Sequence, residues 1–286
     1  MDLFFDLLRS VIYGVIEGIT EWLPISSTGH MILAEQVLKF SFSAEFMEMF
    51  RVVIQLGAIL AVVVMYFKKL WPFCVDNGRD SGLAKHVRWP VMRLWFKIIV
   101  ACLPAAVLGL ALDDWIDAHF YNSVVVAVML IVYGIAFILI ERRPRVPTTT
   151  KLSRITYRQA LIVGAWQVLA LIPGTSRSGS TIIGGLLCGM SRACASQFTF
   201  FLAIPVMAGA SGLKLVKFLA KGGVFTLGEV GTLLVGCIVA FVVSILAIRF
   251  LMDYVKKHTF TVFGWYRIAL GILVLGIWAL QSFVLA

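Results

Sequence analysis

The sequence predicts an all-α polytopic membrane protein of six transmembrane helices plus two re-entrant helical hairpins in an inverted-topology repeat. Three observations point there. Of 286 residues, 60% are apolar and only 14% charged, with a mean hydropathy of +0.96, outside the range of soluble domains. Apolar runs at 52–67, 98–112, 124–140, 198–216, 230–248 and 268–280, with flanking residues, are long enough to cross a tilted path through a bilayer. Finally, polar motifs and spans recur in the same order in the two halves of the chain.

The first residues, from Met1 to Asp6, lack a basic segment and a small-residue cleavage site, so no cleaved signal peptide is expected. Residues 3–23 read as a helix broken at Pro24, and 26–39 as a second short helix. Neither is a clean span: the first carries Glu17 and Glu21, the second His30, Glu35 and Gln36. Two short helices joined at a polar break suggest a re-entrant hairpin, tolerated at membrane depth where it is buried in protein or lines a wet cavity.

A span at about 46–67 follows, ending at Lys68 and Lys69, and a polar loop runs to about residue 90. Lys85, Arg79, Arg88 and Arg93 lie in or beside it. The second span is expected at 94–112, an acidic connection at Asp113, Asp114 and Asp117, and the third span at 122–140. The stretch from Glu141 to Pro147, with Arg142, Arg143, Pro144 and Arg145, then Lys151, Arg154 and Arg158, is the boundary between two halves of one membrane domain, 1–147 and 148–286.

A shift of 150 positions places Gly14 on Gly164, Glu17 on Gln167, Ser26 on Ser176, Gly29 on Gly179 and Phe50 on Phe200. Spans near 196–218, 230–248 and 261–281 complete the second half. Three spans per half force the second half to enter from the opposite side. The basic stretches at 68–93 and 141–158, with Arg249, Lys256 and Lys257, then lie on the cytoplasmic side. The acidic connection and both termini lie outside, with Lys217 and Lys221 the exceptions.

The net charge of +10 is therefore a topology signal and excludes nucleic acid as a partner. The five cysteines show no Cys-x-x-Cys pair, against a disulfide or thiolate metal site.

Inverted repeats bring two hairpin tips together near the membrane midplane. One tip carries Ser26, Ser27, Thr28, Gly29 and His30; the other carries Ser176, Arg177, Ser178 and Gly179. Glu17 and Glu21, one turn apart, are suited to a divalent cation or acid–base work. An all-oxygen set favours Mg²⁺ or Ca²⁺ over Zn²⁺. Ser26, Ser27 and Thr28 cap a helix whose free N–H groups face an anion. His30 falls on the face of Ser26 and Ser27, the minimal arrangement of an activated nucleophile. Arg177 needs a carboxylate or phosphate partner. Gly174 and Gly179 let backbone approach a phosphate, and Ser176, Ser178 and Thr181 add hydrogen bonds.

Together these residues suggest phosphoryl chemistry. No Gly-x-x-x-x-Gly-Lys loop is present, which argues against nucleotide use, and a site inside the membrane suits a lipid phosphate.

The runs Glu17–His30 and Pro173–Thr181, with 52–60 between them, resemble the signature motifs of the undecaprenyl-diphosphate phosphatase family of bacitracin-resistance type, and the likeness covers essentially the whole chain. The resemblance implies hydrolysis of undecaprenyl diphosphate to undecaprenyl phosphate, the lipid carrier of cell-wall precursors. It also implies a plasma-membrane location, a divalent cation and a link to bacitracin. It places Glu17, Glu21, Ser27, His30 and Arg177 in catalysis, with Ser26, Thr28, Ser176 and Thr181 lining the site. Ser27 attack with His30 handling the proton, water activated by His30 and direct attack by His30 all remain open. The rival reading is a transporter or flippase of a polyprenyl phosphate or similar lipid anion. The loop charges turn the site to the extracytoplasmic side, and oligomeric state is left open, a homodimer included.

Overall fold

A computed structural model of the chain describes residues 2–75, 78, 82–143 and 146–284. Twelve α-helices run through them in order: α1 Asp2–Thr20, α2 Ser27–Val37, α3 Ala44–Val53, α4 Gln55–Met65, α5 Phe67–Leu70, α6 Trp89–Phe120, α7 Ser123–Glu141, α8 Tyr157–Val168, α9 Arg177–Leu187, α10 Arg192–Ala220, α11 Leu227–Lys257 and α12 Thr261–Val284. No strand occurs among the described residues, only the isolated bridges Phe73–Val87 and Thr149–Met190. Six segments are long and apolar enough to cross a membrane: Ala44–Met65, Trp89–Leu112, Ser123–Glu141, Arg192–Ala220, Leu227–Lys257 and Thr261–Ser282.

The helix pairs α1/α2 and α8/α9 stand where the sequence places its two hairpins. α1 packs on α11 and α8 on α6, a pairing that the 150-residue shift maps onto itself. α7 packs along α12, and α10 lies against α3 and α4. The equivalent glycines Gly14 and Gly164 explain how closely the short helices approach. A Cβ on Gly14 would sit 2.7 Å from the Gly236 carbonyl oxygen of α11, and one on Gly164 2.3 Å from that of Ala101 in α6. Only hydrogen fits at either crossing.

Three boundaries differ from the sequence reading. The acidic stretch 113–117 is no loop: α6 runs through it to Phe120. From residue 110 to 120 the chain contains neither glycine nor proline, so nothing breaks the helix. The stop comes at Asn122, whose side chain accepts from Val125 N at 2.9 Å and opens α7. α11 likewise passes residue 248 and ends with Lys256 and Lys257 in its last turn, the favourable place for cations on a helix dipole. The first span is two helices joined at Ile54, where Gly57 N bonds back to the Ile54 carbonyl at 3.1 Å.

The 70–90 loop is held by Cys74 N to His86 O at 2.8 Å and Arg88 N to Pro72 O at 2.7 Å. Arg79, Pro144 and Arg145, and the side chains of Asp113, Asp114 and Asp117, lie outside the described residues.

The main core surrounds the two helix breaks. Trp22 is fully buried and meets Phe200 edge-on, ring centroids 5.3 Å apart. This is the residue after Glu21 packing on α10 of the other half, so the apolar core itself brings the two polar breaks together.

Candidate active site

α1 ends at Thr20, whose hydroxyl donates to the Ile16 carbonyl at 2.7 Å, and a turn over 21–25 leads to Ser26. Ser26 has φ 73° and opens α2. In the second half a 3₁₀ turn, Leu169–Leu171, precedes Gly174 at φ +90°, and Ser176 at φ 70° opens α9. Among the described residues Ser26 and Ser176 are the only non-glycine residues with positive φ. Such backbone costs on the order of 1–3 kcal/mol and persists where its surroundings over-determine it. Ser176 caps its helix through Gly179 N at 3.1 Å. Ser26 makes no side-chain cap, and its buried hydroxyl has no partner among the described residues.

Arg177, the first residue of α9, joins the breaks. Its Nη2 donates to Glu21 Oε1 at 2.7 Å, its Nη1 to the Thr199 carbonyl at 3.0 Å, and its guanidinium lies 5.8 Å from the Trp22 ring centre. Nη2 also lies 3.3 Å from Met207 Sδ, while the buried Nε has no partner. Ser27 Oγ, the first hydroxyl of α2, donates to Glu21 Oε2 at 3.4 Å. One carboxylate thus holds a cation from one half and a hydroxyl from the other. Glu17, one turn back, is buried beside Glu21, and its Oε1 is unpartnered.

The expected Ser27–His30 pair is not a hydrogen bond in this structure. His30 Nδ1 lies 2.8 Å from the Ser26 carbonyl, and Nε2 lies 2.7 Å from the Tyr266 hydroxyl. Ser178 donates to the Leu23 carbonyl at 3.3 Å, tying α9 to the first break, and its Oγ is 3.2 Å from that of Ser176. Thr181 donates to the Arg177 carbonyl at 2.9 Å, and Thr199 donates to Thr181 at 2.9 Å. These bonds hold the base of Arg177. Thr28 lies half-buried in the first turn of α2.

A second arginine went unnoticed in the sequence. Arg267 of α12 is fully buried and has no carboxylate partner among the described residues. It donates to the carbonyls of Pro24 at 3.2 Å, Met129 at 3.4 Å, and Gly174 and Thr175 at 2.9 Å each. The Tyr133 ring lies 5.6 Å from it. The Pro24, Gly174 and Thr175 carbonyls lie in the turns that follow α1 and α8, whereas Met129 belongs to α7. The available signal was an arginine inside the apolar run 261–281. Tyr266, its neighbour, carried no signal of its own.

Among the described residues no group of three or more His, Cys, Asp or Glu gathers. The buried, unpartnered Glu17 oxygen next to Glu21 does fit a hard cation whose remaining ligands are water and phosphate oxygens.

Six apolar spans around two broken helix pairs, with an arginine, two carboxylates and hydroxyls at the breaks, define a helical membrane protein with a composite polar site. Comparison with known proteins narrows the class. The chain belongs to the family described as Bacitracin resistance protein BacA, whose profile matches residues 10–273. It is 60% identical to an undecaprenyl-diphosphatase of Enterococcus faecalis (strain ATCC 700802 / V583) over 96% of this chain and 99% of that protein. Similar relatives with the same name occur in Lactococcus lactis subsp. cremoris (strain SK11), 56% identical over 98% of this chain and 99% of the relative, and in Desulfitobacterium hafniense, 56% identical over 94% and 95%.

Proposed function

We infer that the chain is an integral membrane phosphatase that hydrolyses undecaprenyl diphosphate to undecaprenyl phosphate and inorganic phosphate, recycling the lipid carrier of cell-wall synthesis. Bacitracin resistance follows from the same activity. Family membership and near full-length identity to undecaprenyl-diphosphatases support the reaction. The single observation that carries the mechanism is Glu21 bonded at once to Arg177 and Ser27.

The incoming diphosphate competes with Glu21 for Arg177, because a planar guanidinium clamps phosphate as well as carboxylate. Glu21 keeps its contact with Ser27 Oγ and is the acceptor within reach of the hydroxyl proton. Ser27 Oγ then attacks the terminal phosphorus and its proton passes to Glu21. The bond to the bridging oxygen breaks, and undecaprenyl phosphate leaves. Water next attacks the phosphoserine, freeing Ser27 and inorganic phosphate. N–H groups at the starts of α2 and α9 face the phosphate oxygens throughout. A divalent cation held by Glu17 and Glu21 would add charge neutralisation at the phosphate.

The two halves, 1–147 and 148–286, form an inverted repeat whose short helix pairs are re-entrant. The enzyme lies in the plasma membrane with its site open to the extracytoplasmic side. The helix pairing, the matched glycine crossings and the loop charges support this arrangement.

Purified protein in detergent, given undecaprenyl diphosphate, should release inorganic phosphate and form phosphoserine at Ser27 when quenched during turnover. No phosphate release would return the lipid-anion transporter to the front, since detergent leaves no second compartment to fill. Phosphohistidine at His30 would overturn the assignment of Ser27.

A further inference from the structure

α12 sends two consecutive side chains into the site. Arg267 holds the backbone of both breaks, and Tyr266 holds His30. The His30–Tyr266 contact is well defined. The rings stack with centroids 5.6 Å apart and an interplanar angle of 9°, and the phenol oxygen is 2.7 Å from Nε2. At the other edge Nδ1 faces the Ser26 carbonyl at 2.8 Å. A carbonyl can only accept, so Nδ1 carries the proton in the neutral ring and Nε2 keeps the lone pair. The Tyr266 O–H is therefore the donor and Nε2 the acceptor. Tyr266 is 45% exposed in a helix that is otherwise a membrane span, so its ring stands at the rim of the site.

We propose that Tyr266 is a positioning residue for His30, fixing it in the Nδ1–H form with Nε2 covered. Two consequences follow. The only nucleophilic nitrogen of His30 is occupied, which leaves attack on phosphorus to Ser27. The imidazole is also pinned to the strained Ser26 backbone, so it serves as an oriented polar wall on the helix turn that presents Ser27 and Thr28. The inference rests on the phosphatase reading for its kinetic test, and a second measurement is independent of activity.

The kinetic test is a double-mutant cycle of Tyr266→Phe and His30→Ala, which separates action through His30 from general packing. Removing the outer hydrogen bond that orients a metal-ligating histidine typically costs about 10–100-fold, and the same scale is taken for the oriented His30. Tyr266→Phe should lower kcat within that range with KM nearly unchanged, and should cost nothing further in the His30→Ala background. Equal losses in both backgrounds, or a Phe variant as active as wild type, would overturn the proposal. The second measurement is the imidazole ¹⁵N spectrum of the protein, in which His30 is one of four histidines and is assigned by its loss in His30→Ala. A protonated Nδ1 and an Nε2 signal that moves in Tyr266→Phe are expected. An unchanged His30 spectrum would refute the contact even if the protein proved not to be a phosphatase.

Discussion

Arg177 Nη2 lies 2.7 Å from Glu21 Oε1, joining residues 156 positions apart at the facing breaks of two helix pairs. Both side chains are largely buried. Breaking such a pair by removing one partner typically costs about 3–5 kcal/mol, because the other charge is stranded. Glu21→Ala should therefore lower detergent thermal stability more than Glu21→Gln, which keeps an acceptor for Arg177. Both should lose Ser27 phosphorylation. Comparing melting curves with quenched phosphoserine yields separates the structural role of this carboxylate from its chemical one.

The two strained serines respond differently to the same substitution. Ser26→Gly relieves a positive φ and removes a buried hydroxyl without a partner, so the protein should become more stable by about 1 kcal/mol. Ser176→Gly gains the same relief but loses the cap to Gly179 N, roughly a few tenths of a kcal/mol when glycine takes the cap position, so it should be stabilised by less than Ser26→Gly. Ser26→Val should destabilise, since a β-branched side chain tolerates this backbone least. Thermal unfolding of the three variants checks the ordering. A Ser26→Gly variant less stable than wild type would contradict it.

Arg267 acts as a clasp on the carbonyls of both breaks. Arg267→Leu leaves those carbonyls buried without donors and should cost about 3 kcal/mol or more. Arg267→Lys should recover little, because one ammonium cannot span Pro24 on one side and Gly174 and Thr175 on the other. The reading is the fraction of monodisperse, folded protein after purification, with the melting temperature. Wild-type behaviour of the leucine variant would show that the two breaks hold each other without it.

Gln167, the 150-residue counterpart of Glu17, is also buried, and both of its side-chain polar atoms lack partners among the described residues. An amide is thus already accommodated at the equivalent place. Glu17→Gln should fold normally while phosphate release falls about 100-fold and becomes insensitive to added divalent cation. Retained cation stimulation in this variant would remove Glu17 from the cation set.

The spans and the two breaks were legible in the sequence because intramembrane acids, arginine and proline are conspicuous in an apolar chain. Because the repeat superimposes Ser176 on Ser26, it brings the tip with Arg177 to the first tip, with a carboxylate or a phosphate open as the partner of the arginine. Long-range choices of partner were hidden. Helical spacing put Ser27 and His30 on one face, but a carbonyl at Ser26 and a phenol from α12 claimed both imidazole nitrogens. Tyr266 lies 236 positions from His30, and no local pattern marks it. α6 and α11 continue beyond their apolar runs, because apolarity fades at a membrane surface while helix propensity continues until a breaker arrives.

The central claim is that one site is assembled from both halves, with Arg177 of the second serving Glu21 and Ser27 of the first. Phosphate release from undecaprenyl diphosphate by purified Arg177→Ala, with folding verified by its elution and melting profile, tests it most directly. The account predicts a loss of at least about 100-fold relative to wild type, the scale of one oxyanion-stabilising group. Turnover within about threefold of wild type, well inside that scale, would contradict it.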